Sequence, residues 1–127
     1  MKRLIPLLAL LAAPVCAQQA APAPQLDLEE TSMLRCSAVF AIVAGDQQRG
    51  DPNASTWPPL AARGKEYFVV ASARLIEKHQ FTHEQVQALL VAEAGRLQHQ
   101  GAGAKDPRQY LASLMQPCML SLEASGL

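Results

Sequence analysis

The sequence has no apolar run long enough to cross a membrane. Its two main apolar stretches, Leu4–Leu11 and Ala38–Ala44, are well short of the roughly 20 residues that a spanning helix needs. The first is also followed at once by polar residues and prolines. We therefore expect no transmembrane segment in the mature protein.

An excess of charge of one sign is also missing. The chain has 11 basic and 11 acidic residues, a formal net charge of zero with neutral histidines. A protein that binds phosphate backbones or anionic lipid by charge needs a basic face. Because the basic and acidic residues balance, we do not expect the protein to bind nucleic acid.

Motifs for catalysis or cofactor binding are absent as well. There is no Cys-x-x-Cys pair, no Gly-x-Ser-x-Gly turn, no phosphate loop and no dinucleotide fingerprint. We expect no cofactor and favour a non-enzymatic protein. A catalytic group assembled from distant residues would leave no such motif, so a small enzyme stays an alternative.

The N-terminus has the pattern of a secretory signal peptide. Lys2 and Arg3 precede the apolar run, and small residues follow it. We predict cleavage after Ala17, with Ala21 as a second possible end and lipidation at Cys16 as the rival interpretation. Cleavage would leave nine basic and eleven acidic residues, a proline-rich disordered leader over 18–26 and one domain over 27–127. The expected location is the periplasm or the medium.

Two cysteines remain once the signal is removed. In an exported protein, an even pair predicts a disulfide. Cys36 and Cys118 both lie on the apolar stripes of predicted helices, so facing stripes can bring them together. A reactive thiol is the alternative, but neither cysteine has a histidine close in sequence to lower its pKa.

Apolar spacing predicts an all-α bundle of about four helices. We place the helices at about 28–44, 62–78, 83–100 and from Pro107 onward. Gly45 should end the first helix, and we expect a kink or a break in the last one at Pro117. The β-branched run 38–44 also allows a buried strand. Thr82 with Gln85 has the pattern of a capping box, and the connection over 45–60 should be irregular.

The histidines do not predict a metal site. His79 and His83 have a spacing that can bind metal on one helix, but the cap at Thr82 puts a helix boundary between them. His99 lies far along the next helix. We therefore expect no metal.

A possible binding surface is the other candidate site. The region from Arg63 to Lys78 mixes basic and aromatic residues, which could receive an acidic partner. Its candidate members are Trp57, Arg63, Lys65, Tyr67 and Arg74. The alternatives are an ordinary solvated helix face for the charges and a plug over the core for Trp57.

These observations favour an exported, non-enzymatic module that binds another envelope protein. The alternatives are a small enzyme or ligand carrier with a cavity between helices, and a purely structural envelope component. The sequence contains nothing that predicts the oligomeric state.

Overall fold

A computed structural model describes residues 24–127, and this part of the chain is all-α, as predicted. The predicted signal peptide and most of the predicted leader lie outside the described residues. The helices are α1 (Leu28–Gln48), α2 (Ala61–His79), α3 (His83–Ala102) and α4 (Pro107–Ala124), with a short 3-10 turn over Ala54–Thr56. None of the helices in 24–127 combines the length and apolar character needed to span a bilayer.

The first helix is longer than predicted. It begins at a capping box, in which Asp27 and Glu30 each accept a hydrogen bond from the other's backbone N–H at 2.8 Å. It does not stop at Gly45 but continues to Gln48, and Gly50 supplies the left-handed backbone at φ +76° just beyond its end. The stop at Gly45 was wrong because one glycine costs a helix only about 1 kcal/mol.

The side chain of Gln47 ties the second half of the connection from α1 to α2 back to the end of α1. The amide nitrogen of Gln47 lies 3.1, 3.2 and 2.9 Å from the carbonyl oxygens of Ala54, Trp57 and Pro58. Its amide oxygen accepts from the N–H of Leu60 at 3.1 Å. This one glutamine therefore satisfies the carbonyls of Trp57 and Pro58 and the N–H of Leu60, and it adds a second bond to the carbonyl of Ala54.

The corner between α2 and α3 has the predicted geometry. Helix α2 ends at His79, and the next residue, Gln80, has a left-handed backbone at φ 57°. Helix α3 begins at the Thr82 capping box, in which the two hydrogen bonds with Gln85 measure 2.8 and 3.2 Å. The prediction of a helix boundary between His79 and His83 is confirmed.

Pro117 does not break the last helix, which runs unbroken from Pro107 to Ala124. A proline removes one helical hydrogen bond. Here Met115, Cys118 and Leu122, on either side of it along the chain, are all buried in the core. That shared burial keeps one helix through the proline, so the predicted break is not observed, and the alternative, a kink at Pro117, stays a prediction.

Helix α1 is the centre of the core. Its residues Ala38, Val39, Phe40 and Val43 are fully buried, and α2, α3 and α4 all pack against it. The ring of Phe40 meets that of Tyr67 edge-on, with centroids 5.3 Å apart. An apolar run that is covered on most sides is expected of such a central helix.

A disulfide fastens the first helix to the last. Cys36 on α1 and Cys118 on α4 are bonded with their Cα atoms 5.1 Å apart, and both side chains are buried. The predicted pairing is confirmed. The bond closes a loop that contains most of the described chain.

Close packing of α1 on α2 depends on Gly64. A Cβ atom at this position would lie 2.9 Å from the Cβ of Phe40, which is closer than real contacts allow. We expect Gly64→Ala to lower the free energy of unfolding by about 1 to 2 kcal/mol, because overpacking a core outweighs the better helix propensity of alanine. Urea unfolding measures the change.

The matched control for this prediction is Gly95→Ala in α3. A Cβ atom at Gly95 would meet nothing within 4 Å. Only the propensity gain remains there, so this variant should be more stable than the wild type by about 0.5 to 1 kcal/mol. Equal effects at the two glycines would show that the α1–α2 contact tolerates a methyl group.

Candidate functional site

The structure divides the predicted binding surface between two sides of α2. Arg63, Tyr67 and Arg74 follow the side that faces the end of α4, whereas Lys65 lies on the opposite side, toward α3. Trp57 lies in the connection before α2 and packs, half-buried, against the core. The five residues therefore do not form one surface.

Tyr67 and Arg63 have structural contacts. Tyr67 is only 3% exposed, and its hydroxyl lies 2.6 Å from the Oγ of Ser121 on α4. The Nε of Arg63 donates to the main-chain oxygen of Leu127 at 3.1 Å, which ties the end of the chain to α2. Both residues help to position α4 against α2.

Arg74 is held loosely. Its Nη1 lies 2.6 Å from Oε1 of Glu29 and 3.6 Å from the sulfur of Met33, both on α1. The two charged side chains are 58% and 72% exposed. An ion pair in water is worth at most about 1 kcal/mol, so the guanidinium can exchange Glu29 for another carboxylate at little cost.

A groove runs past Arg74 between the start of α1, the middle of α2 and the end of α4. Its volume is about 560 Å³, within the range of roughly 300 to 1,000 Å³ that is usual for ligand sites. We call it the Arg74 groove. Its lining residues are Leu28, Glu29, Ser32, Met33, Tyr67, Val70, Arg74, Ser121, Ala124 and Ser125.

Exposed apolar side chains border this groove. Leu28 is 87% exposed and Val70 is 38% exposed. Sequence reasoning missed both residues, together with Ser121. Val70 could have been found, because it lies three residues after Tyr67 and four before Arg74 on the same helix face. Leu28 and Ser121 reach the groove only through the way that α1 and α4 pack on α2.

A charged pocket of about 270 Å³ adjoins the Arg74 groove and shares Glu29, Met33 and Arg74 with it. The backbone N–H of Glu30, and then the ammonium of Lys78, lower the pKa of Asp27. The pKa of Glu30 is lowered by the backbone N–H of Asp27, against the effect of burial. The two carboxylates in turn raise the pKa of Lys78. The carboxylates of Asp27 and Glu30 and the ammonium of Lys78 in this pocket therefore stay charged over a wider pH range than they would in water.

The three histidines lie at separate places in the fold. The Nε2 of His79 lies 2.9 Å from Oε1 of Glu30, and its ring stacks on Phe81 with centroids 4.9 Å apart. His83 opens α3, and His99 lies near its far end. Within residues 24–127, no three histidine, cysteine or acidic side chains are grouped so that they could hold a metal ion.

No hydroxyl in the Arg74 groove has the partners of a nucleophile. A serine nucleophile needs a hydrogen-bonded base. Ser121 instead contacts the hydroxyl of Tyr67, and among the described residues no histidine or carboxylate hydrogen-bonds to either group.

No protein-family model matches the chain, and comparisons with curated proteins and with solved structures find no significant similarity. What the protein does must therefore be argued from its sequence and its geometry.

Proposed function

We propose that the chain is an exported, non-enzymatic protein that binds another protein of the cell envelope through the Arg74 groove. The observation that carries the proposal is the exposure of Leu28 and Val70 beside an exposed Arg74–Glu29 pair. Apolar side chains grouped at the edge of a groove are typical of protein-binding surfaces.

The chemistry of the groove suggests what the partner presents. An apolar side chain of the partner would cover Leu28 and Val70 and be removed from water, which is the main favourable term in association. A carboxylate beside it would take the place of Glu29 on Arg74. Arginine suits this exchange because its planar guanidinium can bind a carboxylate through two parallel hydrogen bonds.

Export is supported by two independent features. The N-terminal pattern is that of a cleaved signal peptide. A buried disulfide that joins two helices is typical of proteins that fold in an oxidising compartment. In a bacterial cell that compartment is the periplasm.

Capture from an envelope extract of the source cells tests the proposal. The bait is the tagged chain 18–127, alongside its Val70→Asp and Val69→Asp variants. Both valines lie on α2 and are exposed, but only Val70 lines the Arg74 groove. We expect the wild type and Val69→Asp to retain the same partner in stoichiometric amount, and Val70→Asp to lose at least about tenfold of it, since a buried charge is costly.

The result contradicts the proposal if Val70→Asp retains the partner as well as the wild type does. The proposal is also contradicted if the wild type retains no protein above the level of an unrelated bait. Circular dichroism of each variant checks that the helices are intact, because both substitutions are on the surface and should leave the fold unchanged.

A further inference from the structure

A second groove lies on the other side of α2, away from Arg74. It opens between α2 and α3, has α1 as its floor and has a volume of about 230 Å³. We call it the Lys65 groove. Its lining residues are Ser37, Phe40, Ala41, Ala44, Leu60, Ala61, Gly64, Lys65, Phe68 and Leu90.

The Lys65 groove is apolar except at one point. Ala41, Ala44 and Gly64 leave room over the floor because their side chains are small or absent. The hydroxyl of Ser37 donates to the carbonyl of Met33 at 2.8 Å and is buried. Lys65 is therefore the one lining residue whose polar group is free to meet a ligand.

Lys65 has no ionic partner within residues 24–127. No carboxylate oxygen lies within 4 Å of its ammonium, whereas Arg35, Arg74 and Lys78 all have one. Its neighbours one helical turn away are Ala61, Ala62, Phe68 and Val69, which carry no charge. A lysine stem can lie along an apolar wall while its ammonium reaches water, and this places a lone cation at the edge of an apolar slot.

We propose that the Lys65 groove binds a monocarboxylate with an unbranched apolar tail. The tail lies over Ala41, between Phe68 and Leu90, and the carboxylate pairs with the ammonium of Lys65. A closed apolar cavity of about 150 Å³ holds a benzene ring, so a groove of 230 Å³ has room for a tail of roughly eight carbons. This site is separate from the Arg74 groove and independent of the proposed partner.

The probes are hexanoate, octanoate and decanoate, titrated below their aggregation range into ¹⁵N-labelled protein 18–127. Each methylene that is fully covered improves affinity about fourfold, and a groove open on one side should give about twofold. The amide signals that move should be those of residues around Ala41, Lys65 and Leu90. Octylamine has the same tail with the opposite charge, so it should bind more weakly than octanoate.

Variants separate the roles of charge and space. Lys65→Gln should lower the affinity for octanoate by at least about threefold and leave the affinity for octanol unchanged, because only the ion pair is lost. Lys105→Gln, a lysine outside the groove, should bind like the wild type. Ala41→Phe should fill the floor and abolish binding, whereas Ala88→Phe, on the exposed side of α3, should not. Val70→Asp should bind octanoate normally.

Several outcomes would overturn the proposal. They are no shift at millimolar octanoate, shifts centred on the Arg74 groove, equal binding of octylamine, and unchanged octanoate affinity in Lys65→Gln. If Ala41→Phe does not fold, Ala41→Leu serves the same purpose with a smaller side chain.

Discussion

The Cys36→Ala, Cys118→Ala double variant should lose about 4 kcal/mol of its free energy of unfolding. The two cysteines are 82 residues apart in the chain, and the loop-entropy model gives about 4.5 kcal/mol for closing a loop of that length, within the 2 to 5 typical of lost native disulfides. Since a domain of this size is stable by only about 5 to 15 kcal/mol, this is a large share of the total.

Urea unfolding of the wild type and of the double and two single variants measures this effect. Each single variant should lose about as much as the double, because either substitution removes the same bond and the effects are therefore not additive. Wild type unfolded and refolded under reducing conditions is the control for the loss of the bond alone. A double variant within about 1 kcal/mol of the wild type would show that the bond contributes little.

Phe40→Ala should cost about 3 to 5 kcal/mol. The side chain is fully buried at the centre of the core, where it packs edge-on against Tyr67 and beneath Gly64. Removing the ring loses its burial and leaves a cavity that the surrounding helices cannot fill. Chemical unfolding monitored by circular dichroism measures the loss, and Phe40→Leu serves if the alanine variant does not fold.

Phe68→Ala is the matched control for this prediction. Phe68 lies on α2, one turn after Gly64, but is only half-buried at the wall of the Lys65 groove. Since less of its ring leaves water on folding, its loss should cost about 1 kcal/mol. Equal costs for the two phenylalanines would contradict a core centred on α1.

The helices were predictable because the signals for them are local. Apolar residues recur at helical spacing, and the Thr82 capping box and the proline at the start of α4 lie within a few residues of the ends that they mark. The prediction failed at Gly45, which does not end α1, because the packing of the helix outweighs the weak local preference of one glycine. At Pro117 only the alternative of a break is excluded, since α4 continues to Ala124.

The disulfide was predictable for a different reason. With Cys16 assigned to the signal peptide, only one pairing was left, and both cysteines were already placed on apolar stripes. Parity and helical spacing were sufficient, although neither describes how α1 and α4 cross.

The two grooves could largely not be predicted from the sequence. A pattern of charge and aromatics grouped Arg63, Lys65, Tyr67 and Arg74, because they are close along one helix. The structure puts Lys65 on the opposite side and buries Tyr67, since α2 packs mainly on α1 and the hydroxyl of Tyr67 meets Ser121 of α4. Which side of a helix faces a groove depends on neighbours that come from distant parts of the chain.

The central claim is that the chain is an exported helical domain closed by one disulfide. The most direct test is the intact mass of the protein, purified from its native cells without reductant. We expect a chain that starts at Gln18 or within a few residues of it, with two hydrogens fewer than the reduced form and no thiol that alkylates in denaturant. A full-length chain that retains Met1, or a mature chain with two free thiols, would contradict it.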